Sequence, residues 1–444
     1  MVKAYIEKLS GEKLLDIFVR LKGWGLKGGL AILDQGVYSG SNFIFNILLA
    51  RWLSADNYGA FSLAFAIFLF FTSFHNAMIL EPMSVFGTAK YAENIQGYLS
   101  NQFVIHAVVT SILGVFVSLI GFALFYLALV DSYLSYAIVG VGIFLPLILL
   151  MWLARRVFYV LSEPGWAFLL SCVYSVCLLG GAFYLHFLKI ENAIAWFGVM
   201  GLSSLTGLII LFKLNIFDFI SDKNNELGWK KLLTEQWFFG KWIVLAAFFY
   251  FAATQIQIFI TAGMLGLNTA GAFRALQNFA LPMMQILTAI STLALPSIAF
   301  AFGRQNYAVM RRKAFSVAGI LFVCSALYVS LLLFFSTSLE NLMYAGRYKE
   351  YAELIPIIGV IPLITAVEIG FSLIVRSLQR SIYHATLTFG MAVAGVVSGL
   401  FLIPLFGVAG AVGSLVTSTI LSLFINIWFY RKWFSGMILL NLRK

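Results

Sequence analysis

Polar side chains recur at helical spacing inside the long apolar runs of this sequence. Because each residue turns an α-helix by about 100°, residues four, seven and eleven positions apart share one face. Amides and hydroxyls are costly in hydrocarbon, so such a face is expected to meet protein or water. We interpret the stripes as the lining of a water-filled cavity that could take a polar solute. The candidate lining residues are Gln35, Ser39, Asn42, Asn46, His75, Tyr250, Thr254, Gln257, Arg274, Gln285 and Thr288.

Hydrogen bonding between helices is the alternative role for these side chains, and it is the expected role of any single Ser or Thr. A cavity is favoured because several polar residues between Gln35 and Asn46 align on one predicted helix, and an equivalent helix later in the chain also has a stripe. His75 could gain a proton near neutral pH, although a structural hydrogen bond is the commoner role of a buried histidine.

The ionisable residues of the apolar runs each have two open roles. Glu368, near the middle of a predicted span, either bonds a polar neighbour or couples transport to an ion. Asp34 is the second ion-coupling candidate, and its alternative is a solvated interface position. Arg51 and Arg274, at the outer ends of spans, either reach the lipid headgroups or contact phosphate, which guanidinium pairs well with. The headgroup role ranks first for Arg51, and Arg274 is the stronger phosphate candidate.

Catalytic and metal sites are not expected. The cysteines Cys172, Cys177 and Cys324 lie in apolar runs and form neither a disulfide framework nor a metal-ligand spacing. No metal, no cofactor and no catalytic residue is therefore assigned. The predicted outer loops are too short to hold the catalytic groups of a membrane polymerase or ligase, so an enzyme is not expected.

The composition is that of a polytopic membrane protein, because 61% of the 444 residues are hydrophobic and only 11% are charged. A helix needs roughly 20 apolar residues to cross the hydrocarbon core, and such runs follow one another along the whole chain. We predict an all-α integral membrane fold with twelve transmembrane helices. The predicted spans are 28–50, 59–81, 103–129, 134–154, 166–188, 192–212, 238–262, 275–302, 314–337, 354–375, 383–403 and 408–429.

Basic residues indicate the side of the membrane on which each loop lies. Alternate loops are rich in Lys and Arg, as at 155–156 and 311–313, and the loops between them hold few. Both termini fall on the basic side and are predicted to be cytoplasmic. The net charge of +11 follows from this pattern, so nucleic acid is not an expected partner. The first 27 residues are predicted to form an amphipathic helix at the membrane surface, with a frayed basic tail as the alternative.

Two segments of the chain echo each other. LSADNYGAF (53–61) and LGLNTAGAF (265–273) both end in Gly-Ala-Phe, and both lie between the first two predicted spans of a half. The first outer turn is predicted at Asn57–Gly59. The match indicates a duplication whose repeats are parallel and related by an axis along the membrane normal. The predicted divisions are a leader (1–27), a six-helix bundle (28–212), a cytoplasmic linker (213–237), a second six-helix bundle (238–430) and a tail (431–444).

Several segments carry a family resemblance. LLARWLSADNYGAFSLAFAI (48–67) resembles the first hairpin of the polysaccharide-export branch of the multidrug/oligosaccharidyl-lipid/polysaccharide (MOP) exporter superfamily. LNTAGAFRAL (267–276) is similar to the corresponding hairpin of the second half, and LMYAGRYKEYAEL (342–354) and PLFGVAGAVG (404–413) also resemble family segments. The nearest group in this resemblance is the O-antigen and capsule repeat-unit flippases of the Wzx type.

The resemblance implies two six-helix bundles of the MATE type around a central cationic cavity. It implies movement of undecaprenyl-pyrophosphate-linked oligosaccharides, as used for lipopolysaccharide O-antigen, capsule or exopolysaccharide, across a bacterial or archaeal cytoplasmic (inner) membrane by alternating access. The implied partners are that lipid-linked substrate, the bilayer, H⁺ or Na⁺ as a coupling ion, and other polysaccharide assembly proteins. A cation-coupled multidrug exporter and a flippase for another lipid-linked cell-wall precursor are the alternatives.

Overall fold

The computed structural model describes the backbone of residues 2–210, 228–377 and 381–441. Within these ranges it describes the side chains of residues 27–433, except those at positions 381, 382, 384 and 385. All regular secondary structure in these ranges is helical, which confirms the all-α prediction. The leader is helical from Val2, but its side chains lie outside the described set. Most of the predicted linker also lies outside the described residues, as do the side chains of the tail beyond residue 433.

The N-terminal half (residues 2–210) consists of helices joined by short turns. They are, in chain order, α1 (Val2–Trp52), α2 (Ala55–His75), α3 (Glu81–Thr88), α4 (Ile95–Tyr126), α5 (Ser132–Val160), α6 (Pro164–Phe187) and α7 (Ala193–Ser204). A π-helical turn, Asn76–Leu80, joins α2 to α3 without a break.

The first outer turn lies earlier than predicted, at residues 53–54. Ser54 caps α2, because its hydroxyl oxygen accepts a hydrogen bond from the Asn57 backbone amide. Asn57, Tyr58 and Gly59 therefore lie in the first turns of α2 rather than in the loop, where all three are buried.

The C-terminal half (residues 228–441) has the same construction from helices and short turns. Its helices are α8 (Trp229–Leu265), α9 (Leu267–Gln277), α10 (Leu281–Gly303), α11 (Tyr307–Tyr344), α12 (Ile355–Ser377) and α13 (Ser381–Asn441). Gly266, with φ of 88°, separates α8 from α9. Gly407, with φ of 58°, bends α13 between the last two predicted spans. Both φ values are readily accessible to glycine because it has no Cβ.

Nine helical stretches of the described residues are long and apolar enough to cross a membrane. One of them, Thr386–Trp433, covers two predicted spans, and a shorter apolar stretch occupies Ala193–Leu208. The count of twelve spans, the domain boundaries and the side on which the termini lie stay predictions.

The two halves meet along α2, which packs against both α8 and α9. Within the N-terminal half α1 pairs with α6 and α4 with α5, and within the C-terminal half α8 pairs with α13 and α11 with α12. Tyr58 and Tyr344, one from each half, both accept hydrogen bonds from Asn278 and are almost completely buried. We call the end of the molecule that holds the turns at Leu53 and Gly266 the outer end, and the opposite end the inner end.

Candidate functional site

The exposure of the predicted polar stripes changes along the molecule. On α1, Gln35 near the inner end is exposed, whereas Asn46 toward the outer end is only 8% exposed. On α8, Tyr250 is 55% exposed and Gln257, two turns closer to the outer end, is completely buried. Both stripes are therefore exposed toward the inner end, which is the end predicted to be cytoplasmic, and buried toward the outer end.

The third stripe, which runs from α9 into α10, has the same gradient. Arg274 is 7% exposed near the outer end, and Gln285 and Thr288 further along α10 are exposed. Ser39, Asn42 and Thr254, which lie midway along their stripes, are half-buried.

A hydrogen-bond network connects the halves above the buried ends of the stripes. Asn278 donates to the hydroxyl oxygen of Tyr58 at 3.4 Å and to that of Tyr344 at 3.1 Å. The Tyr58 hydroxyl in turn donates to Asn46 at 3.4 Å. These bonds join side chains of α1, α2, the turn before α10, and α11 near the outer end, and we call this network the outer closure.

The repeated Gly-Ala-Phe segments pack directly against each other at this closure. A Cβ atom on Gly59 would overlap the carbonyl oxygen of Leu267, and one on Gly271 would lie 3.1 Å from the Gly59 nitrogen. Small residues allow such close backbone approach between membrane helices. The duplication predicted from sequence therefore places its two glycine-containing helices, α2 and α9, in contact across the two halves.

A second contact between halves covers the first outer turn. Arg347, in the turn after α11, donates to the carbonyl oxygens of Leu53 and, at 3.3 Å, Ala50. The Tyr348 hydroxyl also donates to Ala50 at 3.4 Å. Arg51, the predicted headgroup or phosphate residue, is exposed and donates to the Leu342 carbonyl oxygen at 3.4 Å. These bonds hold the outer ends of α1 and α11 together.

Arg274 lies immediately beneath the outer closure. Its guanidinium donates to the Gln277 side chain at 3.1 Å and lies 5.5 Å from the ring centroid of Phe65, a residue of the other half. Its Nε has no hydrogen-bond partner, and no carboxylate pairs with it among the described residues. A buried cation with an unused donor is suited to an anion that enters the cavity.

Asp34 does not face the cavity as a free carboxylate. It is fully buried and accepts hydrogen bonds from Nε and Nη2 of Arg155, the closest at 2.8 Å. The hydroxyls of Tyr159, at 2.5 Å, and of Ser171 also donate to it. Arg155 was expected in a cytoplasmic loop, but it is 8% exposed and stacks 4.1 Å from the ring centroid of Tyr38. With its charge neutralised in this way, Asp34 joins α1, α5 and α6.

His75 is paired with a second histidine. Its Nε2 lies 3.0 Å from Nδ1 of His106, whose Nε2 lies 3.2 Å from the carbonyl oxygen of Pro146. Both rings are buried, and Nδ1 of His75 has no partner. His75 ends α2 where the π-helical turn begins, so the pair links α2, α4 and α5 inside the N-terminal half rather than lining the cavity between halves.

Glu368 is half-buried and has an amide partner. The Asn426 side chain donates to it at 2.9 Å and accepts a hydrogen bond from the Tyr383 hydroxyl. This cluster joins α12 to the two arms of α13 within the C-terminal half. The hydrogen bond from Asn426 fits the structural role predicted for Glu368, and the partial exposure of its side chain fits the ion-coupling role.

Gln257 has a packed position. Its side-chain nitrogen approaches Gly395 so closely that a Cβ there would lie 2.5 Å away, and its side-chain oxygen has no partner. Gln257 therefore contacts α13 of its own half. Within this stripe, Gln257 packs against a neighbouring helix near the outer end, whereas Tyr250 is exposed nearer the inner end.

The halves are also joined near the inner end. Lys90 and Tyr91, in the turn after α3, both donate to Glu235 of α8 at 2.8 Å. The hydrogen bond to Glu235 raises the pKa of the Lys90 ammonium. Further along, Gly240 of α8 packs closely against the Ala77 carbonyl. The segment from the end of α2 to the turn after α3 thus contacts α8 of the other half.

Sequence reasoning missed the residues that connect distant helices, namely Arg155, Asn278, Tyr344 and Arg347. The segment LMYAGRYKEYAEL contains two of them and was singled out only as a family segment. Its Tyr-x-x-Arg pattern, Tyr344 and Arg347, was the feature of the sequence that could have indicated a contact at the outer end. No cluster of metal-ligating side chains occurs in the ranges that the structure describes.

No family model matches the sequence, and no curated protein sequence matches it significantly. Solved structures do match. The inward-facing conformation of a multidrug resistance MATE family transporter of the MOP superfamily has a TM-score of 0.74 at 14% identity, covering 91% of this chain and 98% of that one. An outward-facing conformation of such a transporter has a TM-score of 0.63 at 14% identity, covering 92% and 95%. A MOP superfamily transporter from Pyrococcus furiosus, described as having a binding pocket of reverse polarity, has a TM-score of 0.60 at 13% identity, covering 94% and 95%.

The chain is therefore an all-helical, multi-pass membrane protein with the fold of MATE transporters of the MOP superfamily. The similarity is one of fold, so its function is argued from the cavity and its charges.

Proposed function

We propose that this protein is a flippase for a lipid-linked oligosaccharide, of the polysaccharide-export branch of the MOP superfamily. Its substrate is an O-antigen, capsule or exopolysaccharide repeat unit on undecaprenyl pyrophosphate, moved outward across a bacterial or archaeal cytoplasmic membrane. The oligosaccharide occupies the polar cavity while the lipid tail stays in the bilayer. Contacts of the outer closure break when the cavity opens outward.

Arg274 is the observation that carries this proposal. It is a guanidinium at the buried outer ends of the polar stripes, whose inner ends are exposed, and its Nε donor is unused. Guanidinium matches phosphate in geometry and charge, and the proposed substrate carries two phosphates. A cavity whose closed end is cationic attracts such an anion and repels a cationic drug.

The second candidate is a cation-coupled multidrug exporter, which Glu368 favours because it is a half-buried carboxylate within a span and its described hydrogen bond comes from a neutral amide. Asp34 is unsuited to binding a cation because Arg155 already neutralises it. H⁺ or Na⁺ coupling through Glu368 and contact with other polysaccharide assembly proteins stay predictions.

Replacing Arg274 tests the proposed substrate. In proteoliposomes that contain a fluorescent polyprenyl-pyrophosphate-linked sugar, Arg274→Ala is expected to slow flipping by about 10- to 100-fold, because a charge-assisted hydrogen bond to phosphate is lost. Arg274→Lys keeps the charge and is expected to retain more activity. The readout is the rate at which an added reagent quenches the sugar fluorophore.

Arg431→Ala is the matched control, since Arg431 is exposed and takes no part in the outer contacts between the halves, and it is expected to change the rate by less than about threefold. Equal activity of the Ala and Lys variants at position 274 would contradict phosphate recognition. Efflux of a cationic dye by wild-type protein, with no flipping of the lipid-linked sugar, would instead support the drug exporter.

Cysteine accessibility tests the cavity itself. Single cysteines at Ser39 and Thr288 are expected to react with a membrane-impermeant maleimide added at the inner side, whereas a cysteine at the completely buried Gln257 is expected to be protected. The background should lack Cys177 and Cys324, because both are exposed. Protection at all three positions from both sides would indicate that the stripes only pack helices together.

A further inference from the structure

A groove outside the central cavity lies between the inner ends of α10 and α11. Its volume is about 530 Å³. Ala294 and Val309 contribute apolar walls, and Ile298, which is 1% exposed, forms part of its floor. Such a groove is suited to one acyl chain or a similar apolar ligand.

Cations line the rim of the groove. Arg312 and Lys313 of α11 border it, and Lys313 donates to the hydroxyl oxygen of Ser297 on α10 at 2.7 Å. The Ser297 hydroxyl hydrogen remains available for a further acceptor. Neither cation pairs with a carboxylate in the described part of the chain, and residues 236–339 contain no Asp or Glu at all. The rim therefore has an uncompensated positive charge.

The groove faces away from the central cavity. Ser297 follows Thr288 by nine positions on the continuous helix α10, which at about 100° per residue places it half a turn from the polar stripe. A ligand in the groove therefore comes from the surrounding membrane rather than from the transport pathway. The loop side that holds Arg312 and Lys313 is the basic one, predicted to be cytoplasmic.

We propose that this groove binds an anionic phospholipid of the cytoplasmic leaflet. Arg312 and Lys313 contact the phosphate, the Ser297 hydroxyl donates to one of its oxygens, and an acyl chain lies against Ala294 and Val309. Basic pockets between transmembrane helices on this side of a membrane bind anionic headgroups in this way.

Native mass spectrometry of the purified full-length protein tests the proposal with phosphatidylglycerol, with phosphatidylcholine of the same acyl chains, and with inorganic phosphate. Wild-type protein is expected to retain one phosphatidylglycerol in preference to phosphatidylcholine. The double substitution Arg312→Gln/Lys313→Gln is expected to weaken phosphatidylglycerol binding by at least about tenfold. The control Arg304→Gln/Arg311→Gln removes the same charge at the same inner end, from residues that do not line the groove, and is expected to change binding by less than about twofold.

Ala294→Phe keeps every charge and fills the apolar part of the groove, and it is expected to weaken phosphatidylglycerol binding as well. Equal losses in the groove and control double variants would overturn the proposal, because the attraction would then be general electrostatics. Equal retention of the two lipids, full competition by inorganic phosphate, or an unaltered Ala294→Phe variant would each overturn it too.

Discussion

Gly59→Ala is expected to shift the protein away from the arrangement that is closed at the outer end. The new Cβ would overlap the Leu267 carbonyl, which belongs to the backbone of the other half and cannot rotate away. Alanine is the better helix former by about 1 kcal/mol, so a loss of closure must come from the contact and not from α2 itself. Overpacking of this kind costs about 1–3 kcal/mol, which changes the ratio of closed to open molecules by roughly 5- to 150-fold.

Spin labels at Asp56 and Leu342 report this change, because both side chains are exposed at the outer end and belong to different halves. The Gly59→Ala protein is expected to show a longer label-to-label distance than the wild type and to flip substrate slowly. Gly263→Ala is the matched control, since a Cβ at Gly263 meets nothing within 4 Å. Identical distance distributions in the two variants would show that the glycine contact does not control closure.

Asp34→Asn is expected to cause the largest loss of stability among single substitutions of the polar residues. It leaves the Arg155 guanidinium buried without a counter-charge, and breaking a buried ion pair from one side costs about 3–5 kcal/mol. The expected result is a clear fall in melting temperature in detergent, measured by size-exclusion chromatography after heating. Asp56→Asn, at an exposed position, is the control.

Arg155→Met, combined with Asp34→Asn, separates a structural from an ion-coupling role. Removing both charges is expected to restore part of the lost stability, because no unpaired charge remains. If Asp34→Asn instead keeps the wild-type melting temperature and abolishes the dependence of transport on H⁺ or Na⁺, then Asp34 is the coupling residue and the structural assignment is wrong.

The contacts on which these two predictions depend differ in how much of them could be predicted from the sequence. Gly59 and Gly271 were visible as members of a repeat, because a duplicated hairpin leaves a local pattern of identical residue types. That the two copies touch each other depends on how the halves dock. The Asp34–Arg155 pair joins residues 121 positions apart, and nothing in either local segment indicates the other.

The polar stripes show the same limit. Helical periodicity correctly put Tyr250 and Gln257 on one side of α8, but it could not tell that Gln257 meets Gly395 while Tyr250 stays exposed. His75 was predicted to line the cavity, and only the tertiary structure supplied His106 of α4 as its partner.

The sequence by itself determined the class of this protein. A helix in hydrocarbon must satisfy its own backbone, so long apolar runs with basic loops can only be transmembrane helices, and each run is a local property. The tertiary structure decided which polar residues face the cavity, which charges are neutralised, and which end is closed. Those properties depend on the neighbour that each helix face meets, and residues more than a hundred positions away supply that neighbour at Asp34, Tyr58 and Arg347.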